Sequence, residues 1–139
     1  MNGSRPQRRL GRSIVAVLTG IVAAIVVTLA TDFVLHAIKL YPPWDQRVPD
    51  GLLLLATTYR TIYGVAAGYL TAYLAPNRPV QHAMVGGAFG FVAALAGAIA
   101  TWHAGPAYET HWYPIALIVL ALPQSWLGGR LRARQIDGV

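Results

Sequence analysis

The chain has 139 residues, 55% of them apolar and 12% charged, with a net charge of +6 and no cysteine. That length makes one domain, and the charged fraction is about half of what a soluble domain carries. Disulfides, thiolate metal sites and cysteine nucleophiles are excluded. No nucleic-acid partner is expected, because most of the arginines sit in short segments between or beyond long apolar blocks, where the positive-inside rule places them.

Mean hydropathy is +0.48. The apolar residues form four blocks, each long enough to be read as a membrane span. The first runs from about 13 to 37, behind Arg5, Arg8, Arg9 and Arg12. A basic head before an apolar run also describes a signal peptide, with Thr28-Leu29-Ala30 as a cleavage site. The apolar stretch continues to Ala37, beyond the length of such a segment, so it is read as a span. The second block covers 52–74 and ends at a turn, Asn77-Arg78-Pro79, where Pro76 and Pro79 oppose helix continuation. The third covers 80–102. The fourth covers 112–129, with Pro114 in its first turn and Pro123 inside it. Pro123 frees the carbonyl of Val119, which predicts a kink. Gln124 and Ser125 follow, placed either to satisfy freed backbone groups or to line a polar cavity.

Basic residues set the expected orientation. Arginines concentrate in the tails 1–12 and 130–139 and at Arg78, whereas loops 38–51 and 103–111 hold only Lys39 and Arg47 against Asp45, Asp50 and Glu109. The expected fold is all-α: an integral membrane four-helix bundle of two transmembrane hairpins, N-in and C-in. Trp44, Trp102, Trp112, Tyr41, Tyr108 and Tyr113 mark the outer interface. Burial cannot drive helices together in lipid, so small residues must let backbones approach. Gly64 and Gly68 on the second helix, and Gly86, Gly90, Ala93 and Gly97 on the third, are the expected packing face, within the protomer or between copies.

Two charges fall inside the apolar blocks, Asp32 and Arg60. A charge at bilayer depth is costly unless paired or hydrated. Asp32 lies roughly 7 Å and Arg60 roughly 12 Å below the outer helix ends at 1.5 Å per residue, and arginine can reach upward. An Asp32–Arg60 ion pair is therefore expected. His36 shares a helical face with Asp32; Thr57, Arg60, Tyr63 and Gly64 share one on the second helix. Asp32, His36, Thr57, Arg60 and Tyr63 thus outline a candidate seam for a ligand or ion. His36, His103, Glu109 and His111 all lie toward the outer side and are candidates for a metal or haem edge. Their spacing matches no HExxH motif. There is no nucleophile–base constellation and no phosphate-binding glycine loop, so catalysis is not expected and no cofactor is predicted.

The segments Ala30-Thr31-Asp32-Phe33-Val34-Leu35-His36, Pro42-Pro43-Trp44, Tyr59-Arg60 and Trp126-Leu127-Gly128-Gly129-Arg130-Leu131 resemble a group of small four-helix bacterial inner-membrane proteins with no assigned activity. The resemblance covers nearly the whole chain and implies a multi-pass protein of the bacterial inner membrane. Similarly sized four-helix drug exporters differ, because this chain has no glutamate embedded in its first helix. The expected function is a non-catalytic accessory or self-associating subunit, with lipid and a second copy or another membrane subunit as partners. The alternatives are a carrier or binder of a small solute, ion or proton at the Asp32–Arg60 seam, and metal or haem binding at the outer histidines.

Overall fold

The structure is a computed structural model that describes residues 4–138, with side chains from Arg8 onward. Residues 1–3, Val139 and the side chain of Arg5, parts of the basic tails, lie outside the described residues. Four long helices follow one another: α1 (Ser4–Ala37), α2 (Asp50–Leu74), α3 (Pro79–Thr101) and α4 (Trp112–Asp137). A short 3-10 turn at Pro106–Tyr108 lies between α3 and α4. α1 and α4 both run on as helix beyond their apolar stretches, into the arginine-bearing ends.

Local chemistry explains where the helices stop. α1 closes on a Schellman-type turn, in which the Leu40 amide donates to Leu35 O and the Lys39 amide to His36 O, both at 3.0 Å. Lys39 takes the left-handed position of that turn at φ 60°, where glycine is the usual residue. α2 begins after Pro49 with Asp50 in its first turn, a favourable place for a carboxylate. The turn to α3 passes through Arg78 at φ 43° and then Pro79 at the first helical position. A residue before proline is driven out of the right-handed helical region, so the two helices reverse direction there. α4 is helical through Pro123 without interruption.

Arg8–Ala37, Pro79–Thr101 and Trp112–Asp137 are long and apolar enough to cross a membrane. α2 has 25 residues, but the run Thr57-Thr58-Tyr59-Arg60-Thr61 holds its hydropathy down. Burial is the reverse of that in a soluble domain. The buried apolar residues are Ala16, Ala56, Ala72, Ala83, Ala98, Ala121 and the single ring of Tyr41, while Val15, Leu18, Leu29, Phe33, Val92 and Ile99 point outward. A small-residue interior under a large apolar surface is how helices pack when the surroundings are as apolar as leucine. These are the features of a membrane protein.

The bundle has two unlike halves. In the half next to the α2–α3 turn, glycines let backbones touch. A Cβ on Gly68 would stand 2.8 Å from Ser125 O, and one on Gly129 would stand 2.9 Å from the Ala83 Cβ. A Cβ on Gly128 would run into Val65 O and Tyr69 N, and one on Gly20 into the Thr71 hydroxyl. Ser13 adds a hydrogen bond to His82 Nε2 at 2.8 Å, joining α1 to α3 at that end. Gly64, the other expected packing glycine of α2, lies under the Gln124 side chain.

Within the chain, the glycines of the expected α3 packing face do not meet a neighbouring backbone. A Cβ added at Gly90 or Gly97 would have nothing within 4 Å, and one at Gly86 would meet only the Thr71 hydroxyl, at 3.9 Å. Gly87 makes the close approach instead, where an added Cβ would stand 2.7 Å from the Ser125 side chain. Periodicity places small residues on one face but does not say whether that face meets a backbone or open space.

Two substitutions separate these roles. Gly128→Ala drives a methyl into the α2 backbone and should cost about 1–3 kcal/mol. Gly90→Ala meets no atom and should be neutral, or stabilising by up to about 1 kcal/mol, because alanine is the better helix former. Thermal unfolding midpoints in detergent, compared with the unsubstituted protein, measure both.

Candidate functional site

The other half of the bundle, beside the loops 38–49 and 102–111, is splayed around a cavity of about 670 Å³, within the size range of small-molecule sites. All four helices line it. Ala24, Gly64, Gly90 and Gln124 form its floor, and Trp44, Val48, Ala107 and Thr110 from the two loops lie at its mouth. The loops are held to each other by Arg47 Nε donating to the Thr110 hydroxyl at 3.1 Å. Gly90, Ala93 and Gly97 form the α3 wall, which is why no side chain opposes the glycines.

Asp32 and Arg60 meet at the cavity wall, with Arg60 Nη2 2.5 Å from Asp32 Oδ2. The second carboxylate oxygen accepts from the Tyr59 hydroxyl. Tyr41 Oη lies 3.1 Å from Tyr59 Oη and 3.3 Å from Leu52 O, and donates within that pair. The Schellman turn makes this possible, because it folds the chain back so that Tyr41 is buried beneath the loop. Burial pushes the Tyr41 phenol above its ordinary value, so it remains a donor at neutral pH. The Asp32 side chain is 13% exposed and that of Arg60 31%. The pair therefore turns its positive partner toward the open space.

Arg60 is incompletely satisfied. Its Nε is buried with no hydrogen-bond partner among the described residues, and its guanidinium carbon lies 6.0 Å from the Tyr113 ring centroid, the outer limit of a cation–π contact. Tyr63 also lines the cavity. Thr31 donates its hydroxyl to Val27 O at 2.7 Å, so Tyr63 donates to Thr31 across 2.8 Å. That bond is a second tie between α1 and α2.

His36 lies on the cavity lining, stacked on Trp44 with ring centroids 3.5 Å apart. Its Nδ1 is 2.7 Å from Asp32 O. A carbonyl can only accept, so Nδ1 carries the proton and Nε2 is left as an acceptor in the neutral ring. Of the expected seam, Asp32, His36, Arg60 and Tyr63 come together. Thr57 does not: it is buried away from the cavity and its hydroxyl donates to Leu53 O at 2.8 Å.

The histidines do not converge. His111 stacks on Trp102 at 4.0 Å, with Nε2 3.1 Å from Trp102 O, while His36 is held by α1 and Trp44. Among the described residues no three His, Asp or Glu side chains gather where a metal ion would sit. His36, His103, Glu109 and His111 are thus not brought to one centre. No protein-family model, curated protein or solved structure matches the chain.

Sequence reasoning missed Tyr59 and the inward turn of Tyr41. A signal for Tyr59 existed. A carboxylate has two oxygens, one guanidinium nitrogen satisfies one of them here, and a phenol stands next to Arg60 in the chain.

A mutational cycle tests the pair. Asp32→Asn and Arg60→Gln should each lower stability by about 1–3 kcal/mol, and the double variant should lose at least 0.5 kcal/mol less than the sum, roughly the lower limit for groups in one network. Tyr59→Phe removes a bond to a charged group and should cost about 1–3 kcal/mol. Additive losses in chemical unfolding would show that the two charges act independently.

Proposed function

We propose that this is a four-span protein of the bacterial inner membrane, with both termini cytoplasmic, that binds an amphipathic small molecule in the cavity of its outer half. The observation that carries this reading is the cavity itself. One wall bears an ion pair and phenols, while the α3 side is bare glycine and alanine. Sites for small molecules are built that way, from an apolar enclosure with a few placed polar groups. An ionisable pair kept at bilayer depth is a functional candidate by default.

The expectation of an accessory or self-associating subunit rested on a thin inventory of polar residues, with the glycine faces of α2 and α3 as its packing surface. The α3 face lines the cavity over Gly90, Ala93 and Gly97, so the same residues now support binding. The Asp32–Arg60 alternative, a binder or carrier of a small solute, is the better reading. The four-span topology is supported by α2 lying against α1, α3 and α4, with Tyr59, Arg60 and Tyr63 turned to the cavity.

Two experiments test this. Gly97→Leu should place its side chain in the cavity, since a Cβ there meets no atom within 4 Å, and should weaken retention of a ten-carbon amphiphile by the purified protein, read by mass analysis of the intact complex. Unchanged retention in Gly97→Leu would falsify the cavity as the site. For orientation, the natural chain has no cysteine, so single cysteines report cleanly. Gln46→Cys should react with an impermeant maleimide in intact cells, and Arg134→Cys only after lysis. The opposite pattern would invert the topology.

A further inference from the structure

The cavity's polar groups restrict what the bound molecule can be, given that it binds an amphiphile at all; the inference rests on that reading. Asp32 and Arg60 cancel each other's charge. The carboxylate is largely covered, and each oxygen already holds a donor, one from Arg60 and one from Tyr59. The guanidinium is the more exposed partner, and the Asp32 contact engages one nitrogen of a group that carries five N–H donors. The cavity thus presents donors around a site of no net charge. An anionic head would meet Arg60 but also lie beside the Asp32 carboxylate at low dielectric, which is unfavourable. A cationic head would meet the guanidinium. A neutral acceptor oxygen fits both constraints.

A second donor stands deeper. Gln124 lines the cavity floor against Gly64, and its amide makes no hydrogen bond to another described side chain or backbone group. Gly64 is one turn along α2 from Arg60, a rise of roughly 6 Å. The two donor groups therefore line the same cavity at different depths, Arg60 from α2 and Gln124 from α4. A flat ring with an acceptor oxygen on each of two opposite edges offers one acceptor to the donor nearer the mouth and one to the donor at the floor. It would lie against Gly90, Ala93 and Gly97, where a single Cβ-sized addition at either glycine finds space.

We infer that the cavity takes a quinone-class lipid, with one ring carbonyl accepting from Arg60 and the other from Gln124. Binding alone is proposed; the site needs no electron transfer. His36 Nε2, an acceptor on the same lining, is available to a ring hydroxyl of the quinol form.

The test measures binding of four probes with the same ten-carbon chain to the purified full chain in detergent, by thermal shift and by quenching of tryptophan fluorescence. The heads are a benzoquinone, a single ketone, a carboxylate and a primary amine. The benzoquinone should bind at least about tenfold more tightly than the other three, the factor expected for one well-placed hydrogen bond. Gln124→Leu should erase its advantage over the single ketone while leaving ketone binding in place. Arg60→Lys, which keeps the ion pair's charge, should weaken quinone and ketone together. Equal or tighter binding of the carboxylate or the amine overturns the quinone inference and leaves the amphiphile site standing. So does an unchanged quinone advantage in Gln124→Leu. Failure of all four probes, in a protein whose unfolding midpoint is normal, overturns both readings.

Discussion

The Asp32 carboxylate is the point on which the loop half of this bundle is organised. A carboxylate about five residues from a helix end, in an apolar block, has to be surrounded by donors or it will not stay there. Its two oxygens draw Arg60 and Tyr59 from α2, and Tyr41 is drawn in behind them from the loop. That set fixes the register of α1 on α2. The Thr31–Tyr63 bond repeats the tie one face over. Polar contacts hold this pair of helices at a set distance, where small residues would have let them close.

The opposite half is governed by sterics. Gly20, Gly68, Gly87, Gly128 and Gly129 each stand where a methyl would collide with a neighbour, so the four helices converge. The two regimes share the same four helices, and the cavity follows from the contrast. Helices pulled together at one end and spaced by side chains at the other enclose a wedge. The glycines at 90 and 97 then keep the α3 side of the wedge clear. Closing and opening are thus written into one bundle by where the small residues fall along its axis.

Much of this is legible in the sequence. Hydropathy and proline placement locate the helices, and the cost of burying a charge pairs Asp32 with Arg60. What the sequence hides is direction. Thr57 shares a helical face with Arg60, but its short hydroxyl is satisfied by Leu53 O on its own helix and never reaches the seam. Gly90 and Gly97 have the spacing of a packing motif, but spacing carries no information about the distance to the next helix. Tyr41 reads as an interfacial aromatic because nothing local announces a Schellman turn built on lysine in place of glycine. The run of α1 and α4 past their apolar stretches is invisible to hydropathy, since arginine and glutamine are good helix formers in water as well.

The converged half has a consequence for traffic. The cavity's lining stops at the level of Ala24, Gly64, Gly90 and Gln124, and the next turn down is closed by backbone contacts at Gly68 and Gly128. Such contacts cannot be cleared by rotating a side chain; whole helices would have to part. The chamber is a cul-de-sac. In the proposed orientation a guest enters and leaves on the outer side only, past the loops that carry Trp44, Val48, Ala107 and Thr110. Delivery across the bilayer would require a second conformation in which the glycine contacts have been broken.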